Sequence, residues 1–471
     1  MANYESSHFL AGVIEGFYGQ PWSHEERLEL FDLMASWGLN TYLYAPKDDL
    51  RQRVAWRELY PAAEAEKFRA LISACHERRL RFVYAISPGL SICHSDEAEL
   101  EHLKRRFEQM LGLGCECFSL LFDDIPDRRD AKDLKRFGSL ASAQCHVANA
   151  IFKWVRTRLP RARLLFCPTA YCGRMVQQKL GGEGYLPTIG RELLQEIDVF
   201  WTGPEIISCQ ITLPHVRELQ EVLRRKPLIW DNLHANDYDG RRFFCGPYAG
   251  RPPELRSEVS GLLSNPNNEF ILNYIPLRTL AAYVNCDGKW DAREDYLAAM
   301  RMWLPGFATC GPPISLEDLV LFGDCYYLPH EEGPEAEALY QGARDSLADN
   351  PAACGGQNSA FHTRAARLRE FCIRASELKE RRLFYALSRR IWDLREELDL
   401  LEHYVEFKSG KEHPEVPFRS DFHLPGTYRG GMVARLQRLL VQQPDGTFTP
   451  AAHSDSNQTN NQTPRLAPSL L

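Results

Sequence analysis

Eight short apolar runs in the first part of this 471-residue chain constrain its fold more than any other feature of the sequence. Each run stops at polar, glycine or proline residues, and segments with helical periodicity lie between the runs. Within the runs Val, Ile, Leu and Phe are nearly continuous, which is typical of parallel strands covered on both faces. The runs are Phe9–Gly19, Thr41–Lys47, Arg81–Gly89, Cys117–Asp124, Leu164–Tyr171, Asp198–Pro204, Pro227–Asn232 and Phe270–Ile275.

Eight strand–helix units over this length predict an α/β fold of the (β/α)8 TIM barrel type, because both the number of units and the length match. A doubly wound sheet is the alternative, but no glycine-rich phosphate loop follows the first run. The C-terminal ends of barrel strands form one mouth, where active sites are built. In this chain those ends carry carboxylates, amides and aromatic rings together. Polar strand ends are common, but this mixture favours a carbohydrate pocket.

After about residue 312 the sequence changes to long helical patterns without strand signals. We therefore predict a catalytic barrel over residues 1–312, an all-helical domain over residues 313–443 that ends with a helix at Tyr428–Leu440, and a disordered tail over residues 444–471. One helix carries an apolar stripe that suits either an internal bundle seam or a dimer interface. The stripe consists of Leu383, Leu387, Ile391, Leu394, Leu398 and Leu401.

Charge and cysteine usage exclude several classes of protein. The formal net charge of -7 provides no electrostatic footprint for nucleic acid or for an anionic membrane surface. No apolar run is long enough to span a bilayer, and the polar, acidic N-terminus does not read as a secretory signal. The 14 cysteines lie scattered in apolar runs without a C-x-x-C pair, so we expect free thiols rather than disulfides or a zinc site. The sequence thus predicts a soluble cytoplasmic protein.

The strongest single feature is the segment Phe118–Pro126, in which an apolar strand delivers two adjacent carboxylates, Asp123 and Asp124, to the mouth. Two carboxylates that face one substrate oppose each other's ionisation, so one can act as a general acid while the other stays charged. Neighbours on a strand point in roughly opposite directions and cannot easily flank a sugar as nucleophile and acid. A 2-acetamido sugar resolves this, because its own carbonyl oxygen can attack the anomeric carbon. Magnesium binding and helix capping remain alternatives for the pair.

Six motifs follow one another along the chain. They are GVIEGFYGQPWS at Gly12–Ser23, YLYAPKDD at Tyr42–Asp49, LLFDDI at Leu120–Ile125, FCPTAYCG at Phe166–Gly173, WTGPEIIS at Trp201–Ser208 and IWDNLHANDYDGRRFFCGPY at Ile229–Tyr248. Together they resemble glycoside hydrolase family 84, the family of protein O-GlcNAcases. Two further segments, Ser315–Pro334 and Tyr428–Leu440, resemble the helical stalk domain of the animal-type enzyme, so the resemblance extends over nearly the whole chain.

The resemblance implies a retaining exo-β-N-acetylglucosaminidase that removes O-linked GlcNAc from Ser and Thr of proteins through an oxazoline intermediate, without a metal or an organic cofactor. Asp123 would orient and polarise the acetamido group, and Asp124 would protonate the leaving oxygen and then activate water. The resemblance further implies that the hydroxyls of the terminal sugar are bound by Gly16, through its backbone, Lys47, Asp237 and Asn273. The acetamido group and the oxazoline would be enclosed by Tyr171, Trp230 and Asn232, with Cys167 beneath the pocket. Several of these have structural alternatives, such as a surface cation for Lys47 or a core aromatic for Trp230.

The sequence departs from the long animal form in two ways, since it shows neither the acetyltransferase-like domain nor the long stalk insertion, and these departures predict a short form of the enzyme. The resemblance implies a homodimer through the stalk domain, and O-GlcNAc-modified proteins or peptides as partners. Two other functions stay open. One is hydrolysis of terminal GlcNAc on glycans, against which the missing secretory signal argues, and the other is GlcNAc binding without turnover, against which the intact carboxylate pair argues.

Overall fold

Eight parallel strands close into a barrel in the computed structural model, which describes residues 9–126, 130–348, 360–408, 417–419, 428 and 430–451. The strands are β1 Leu10–Glu15, β2 Thr41–Tyr44, β3 Arg81–Ile86, β4 Cys117–Leu121, β5 Arg163–Cys167, β6 Asp198–Trp201, β7 Leu228–Asp231 and β8 Gly261–Ser264. Each strand pairs with its neighbour along the chain, and β8 pairs with β1. The predicted (β/α)8 barrel is confirmed, and its closure excludes the doubly wound sheet.

Helices connect the strands and cover the outside of the barrel. They are α1 His24–Ser36, α2 Ala62–Glu77, α3 Glu97–Gly112, α4 Ala131–Phe137, α5 Leu140–Arg158, α6 Gly173–Gln177, α7 Tyr185–Glu192, α8 Leu213–Leu223, α9 Leu255–Glu258, α10 Tyr274–Asn285 and α11 Ala292–Trp303. Polar caps mark where several of them begin. In α1, for example, Ser23 and Glu26 form a reciprocal capping box.

Both faces of the strands are buried, which explains why the apolar runs are continuous. Ile14, Leu43 and Val83 belong to the core inside the barrel, whereas their neighbours Tyr42 and Phe82 belong to the core beneath the helices. Side chains therefore fill the barrel, and its C-terminal mouth is where a site is expected.

The predicted eighth strand at Phe270–Ile275 is wrong, because β8 lies at Gly261–Ser264. A Cβ atom on Gly261 would lie 2.4 Å from the carbonyl oxygen of Leu10, so the strand that closes the barrel needs glycine where it approaches β1. With a glycine, two leucines and a serine, β8 has a weak apolar signal. The stronger apolar run instead forms a 3-10 turn at Phe270–Leu272 and the start of α10.

A helical domain follows the barrel, at about the predicted position. Its helices are α12 Leu316–Asp324, α13 Pro334–Leu347, α14 Ala360–Ser376, α15 Arg381–Lys408 and α16 Gly431–Gln437. The domain joins the barrel through Arg390 of α15, whose guanidinium donates to the carbonyl oxygen of Gly240 at 3.1 Å and forms an ion pair with Glu269.

The end of this domain differs from the prediction of a last helix followed by a disordered tail. Helix α16 is shorter than predicted, and two antiparallel strands follow it, β9 Leu440–Gln442 and β10 Phe448–Pro450. The turn between them contains Asp445 and Gly446, a dipeptide that favours tight hairpin turns, and Phe448 is buried. The described part of the domain is therefore not all-helical, and residues 444–451 are not a tail. Residues 452–471 lie outside the described residues.

The apolar stripe of α15 lies inside the chain. Leu387, Leu394 and Leu398 are fully buried, and the other members are at most 3% exposed. The stripe is therefore the internal bundle seam, and it cannot at the same time form a dimer interface.

Two sequence expectations concern the whole chain. Every cysteine that the structure describes is free, and most are buried, as expected. Within the described ranges, no helix has the length and apolar character needed to cross a membrane.

Candidate active site

A cavity of about 560 Å³ opens at the C-terminal mouth of the barrel. The C-terminal ends of seven of the eight strands, and the loops that follow them, line it, so closure of the barrel brings together residues that lie far apart in the sequence. Its predicted lining residues are Gly16, Lys47, Asp123, Asp124, Cys167, Tyr171, Trp230, Asn232 and Asp237. The lining residues that the sequence analysis missed are Tyr18, Arg174, Thr202, Glu205, Ile206, Ile207, Ala235, Tyr238 and Asn265.

Only one of the two carboxylate oxygens of Asp123 has a partner among the described residues. Its Oδ2 atom forms an ion pair with the ammonium group of Lys47, and both side chains are buried. Its Oδ1 atom is also buried, but no hydrogen-bond donor from the described residues reaches it. A buried carboxylate oxygen without a donor is costly, so this atom is available for an N–H or O–H group of a ligand.

Asp124 presents its carboxylate to the same cavity. The hydroxyl of Tyr171 donates to Oδ1 at 2.7 Å, and the hydroxyl of Tyr18 donates to Oδ2 at 3.0 Å. Burial, followed by the charge of Asp124, raises the pKa of both phenols, so both remain protonated donors at neutral pH. The carboxylate is thus held by two hydroxyl groups that approach from β1 and β5.

Two adjacent carboxylates share one cavity because the backbone changes direction between them. Strand β4 ends at Leu121, before either aspartate, and Asp124 has a φ of +50°. This left-handed conformation is uncommon for a residue with a side chain. The expectation that the pair continues the strand and points in opposite directions is therefore wrong.

Asn232 joins the residues on the opposite wall. Its Oδ1 atom accepts from Nε1 of Trp230 and from Nδ2 of Asn265, both at 3.0 Å, and its Nδ2 atom donates to the carbonyl oxygen of Ile206 at 2.9 Å. Among the described residues Oδ1 of Asn265 is buried without a donor. Asn265 therefore offers a second free acceptor to a ligand.

Three further residues complete the wall and the floor. Gly16 lies against the Trp230 indole, since a Cβ atom there would be 2.6 Å from Cζ2 of the ring. Burial raises the pKa of the Cys167 thiol well above its usual range, so this group is a neutral part of the lining. Asp237 accepts from the backbone N–H of Tyr18 at 3.0 Å, and burial raises the pKa of its carboxyl.

Asn273 is the predicted site residue that the structure does not bring to the cavity. Its side chain is 1% exposed, and Oδ1 accepts from the backbone N–H of Asn267 at 2.9 Å while Nδ2 donates to the Asn267 carbonyl oxygen at 2.8 Å. It fastens the loop after β8. Its predicted place at a strand end depended on Phe270–Ile275 being the eighth strand. In the structure, Asn265 is the residue that follows β8.

Most of the missed residues lie inside the motifs already quoted. Tyr18 belongs to the first motif, Glu205 to Ile207 to the fifth, and Ala235 and Tyr238 to the sixth. Glu205 forms an ion pair with Arg174 at 3.0 Å on the rim. The motifs were thus the signal for these residues, whereas no motif covers Arg174 or Asn265.

A possible metal site lies elsewhere in the described part of the chain. Cys93, Asp130 and Asp133 are close enough to share an ion, but they lie outside the cavity. The Asp133 carboxylate already accepts from the backbone N–H groups of His94 and Ser95, at 2.9 and 2.7 Å. The absence of a metal requirement stays a prediction.

A (β/α)8 barrel whose mouth holds two carboxylates, hydroxyl donors and an aromatic wall has the groups that a glycoside hydrolase needs. The chain belongs to the beta-N-acetylglucosaminidase family, whose sequence model matches residues 11–308. This match agrees with the family that the motifs indicated.

Individual relatives agree with this assignment. The Protein O-GlcNAcases of Rattus norvegicus and Mus musculus are each 48% identical to this chain over 275 residues, which is 58% of this chain. The chain spans about 30% of the length of these curated relatives. A mutant O-GlcNAc hydrolase from Thermobaculum terrenum is similar in structure, with a TM-score of 0.75 and 30% identity over 87% of this chain and 86% of that chain.

The contact between Gly16 and Trp230 gives a first test of the site. We expect Gly16→Ala to displace the indole and to lower kcat/KM on an aryl β-N-acetylglucosaminide on the order of a hundredfold, because catalysis is sensitive to shifts of about 1 Å. Gly112→Ala is the matched control, since a Cβ atom there meets nothing within 4 Å. Equal kcat/KM values for the two variants would contradict the proposed role of the wall.

Proposed function

We propose that this chain is a retaining exo-β-N-acetylglucosaminidase that removes O-linked GlcNAc from Ser and Thr of proteins by substrate-assisted catalysis. The proposal rests on one arrangement, in which Asp123 keeps a buried oxygen without a donor beside an Asp124 carboxylate that two tyrosines hold. The substrate class is supported by the relatives, which are Protein O-GlcNAcases and an O-GlcNAc hydrolase.

The first step uses the free oxygen of Asp123. The N–H of the acetamido group donates to Oδ1, which orients the group and increases the nucleophilicity of its carbonyl oxygen. That oxygen attacks the anomeric carbon and forms the oxazoline. Lys47 occupies Oδ2 in an ion pair, which leaves Oδ1 for the acetamido N–H.

Asp124 provides the proton transfers. In its protonated form it gives a proton to the departing Ser or Thr oxygen, and as a carboxylate it then takes a proton from the water that opens the oxazoline. A protonated Asp124 accepts fewer hydrogen bonds, which frees the hydroxyl of Tyr171 for the acetamido oxygen.

The remaining polar groups suit the hydroxyls of a terminal sugar. The carboxylate of Asp237 and Oδ1 of Asn265 are acceptors on the cavity wall, and Trp230 covers an apolar face. We assign Asn265 the hydroxyl contact that the sequence analysis gave to Asn273.

We further propose that the substrates are cytoplasmic proteins. The free cysteines of the described residues support a reducing compartment. Hydrolysis of terminal GlcNAc on glycans is the alternative within the same chemistry, and GlcNAc binding without turnover is the alternative outside it.

A comparison of three substrates separates these functions. We expect turnover of a peptide that carries Ser-linked GlcNAc, slower turnover of chitobiose, and none of the same peptide with Ser-linked GalNAc, measured by mass spectrometry of the products. Preference for chitobiose would favour the glycan hydrolase. Binding of the GlcNAc peptide without any cleavage would favour the binding module.

The roles of the two aspartates differ in their dependence on the leaving group. We expect Asp124→Asn to lower kcat/KM by about 10² to 10⁴ on a Ser-linked sugar, whose alkoxide needs a proton, and far less on an acidic phenol glycoside. Asp123→Asn should depress both substrates similarly, because the acetamido nucleophile is needed whatever leaves. The ratio of kcat/KM on the Ser-linked sugar to kcat/KM on the phenol glycoside, measured for each variant, distinguishes these roles. If Asp123→Asn were the leaving-group-sensitive variant, the assignment would be reversed.

We also propose a homodimer through the helical domain. Its support is the resemblance to the stalk of the animal-type enzyme, and exposed aromatics on α15, where Tyr385 and Trp392 are 69% and 55% exposed. Light scattering should report about twice the 54.0 kDa of one chain. Trp392→Glu should lower that mass, whereas a monomer at micromolar concentration of the unchanged chain would refute the proposal.

A further inference from the structure

The backbone conformation of Asp124 has to be stabilised by contacts with other residues. A non-glycine residue in the left-handed region, such as Asp124 at φ +50°, persists only where its surroundings determine that conformation. The two tyrosine hydroxyls hold the carboxylate, but they do not hold the peptide unit. Among the described residues, the side chain that holds this peptide unit is Arg53, on the loop after β2.

Arg53 contacts Asp124 along two routes. Its Nη2 atom donates to the carbonyl oxygen of Asp124 at 2.8 Å. Its guanidinium carbon also lies 5.7 Å from the ring centroid of Tyr18, whose hydroxyl donates to Oδ2 of Asp124. One side chain thus restrains both the backbone of Asp124 and one of the two donors to its carboxylate.

Arg53 is itself firmly placed and lies outside the cavity lining. It is 6% exposed, and the preceding residue, Gln52, ties this loop to the end of β3 by accepting from the backbone N–H of Ser87 and donating to its hydroxyl, both at 2.8 Å. No carboxylate in the described part of the chain forms an ion pair with Arg53, and its Nη1 atom has no acceptor there. A buried cation without a carboxylate needs a reason, because desolvation of a charge is costly.

We infer that Arg53 is a positioning residue for the acid and base steps of Asp124. It acts through Asp124 and Tyr18 and does not touch the sugar. The inference rests on the proposed function, because it assigns Arg53 to a proton transfer that this function requires. Loss of Arg53 should therefore impair the step in which the leaving oxygen receives its proton, and it should spare substrates whose leaving group needs none.

The test compares two leaving groups within each variant. We expect Arg53→Met to lower kcat/KM on the GlcNAc-Ser peptide by about tenfold to a hundredfold, and on a 2,4-dinitrophenyl glycoside by no more than about threefold. Both substrates report the first chemical step through kcat/KM. Because the ratio of the two values does not depend on how much of a preparation is folded, partial unfolding of the variant cannot imitate the result.

Two further variants complete the experiment. Arg53→Lys keeps the charge and one donor, and we expect a ratio between those of the unchanged enzyme and Arg53→Met. Arg51→Met is the matched control on the same loop, since the guanidinium of Arg51 points to Glu58 and Glu64, and its ratio should not change.

The outcomes distinguish this inference from the proposed function. If the unchanged enzyme cleaves both substrates and Arg53→Met keeps its ratio within about twofold, the inference is overturned and the function stands. If the unchanged enzyme cleaves neither substrate, both are overturned.

Discussion

The site depends on closure of the barrel, and closure depends on how near the backbones of β8 and β1 can approach. At Gly261 the missing side chain leaves room for the carbonyl oxygen of Leu10, and a Cβ atom would clash with it. Closure then fixes the position of every strand end around one mouth. Lys47 after β2 can meet Asp123 after β4 only because both strands belong to this closed sheet. The chemistry therefore rests on a contact at the opposite end of the strands from the cavity.

Much of the fold could be predicted because the constraint on a barrel strand is simple. Burial on both faces makes seven of the eight strands read as continuous apolar runs, and their helices follow from periodicity. Apolar runs do not predict β8, because the close approach of its backbone to β1 matters more there than apolar area. They do not predict β9 and β10 either, because these strands are too short to form a pattern. The error at β8 also put Asn273 at a predicted strand end, whereas Asn265 follows the strand in the structure.

The site residues could be predicted to the extent that motifs identify them, but their hydrogen bonds could not. Residue type and order do not reveal that Asp123 has one free oxygen or that Tyr18 holds Asp124. These contacts depend on the left-handed backbone conformation of Asp124 after β4, which the sequence does not predict. Long-range partners such as Arg53, which lies 71 positions from Asp124, are equally invisible to local patterns.

Strands β7 and β4 bring neighbouring residues to the cavity in opposite ways. At β7 the alternation of side chains is kept, so Trp230 and Asn232 both face the cavity, while Asp231 between them pairs with Arg251. Both members of that ion pair are fully buried, with two contacts of 2.8 Å, so it fixes the direction of the strand end. After β4 alternation would separate two acids that one substrate needs together. There the alternation ends at Asp124, whose backbone is in the left-handed region. Such a conformation needs a restraint from outside its own strand. Arg53, on the loop after β2, provides that restraint, and it therefore acts together with the acid after β4.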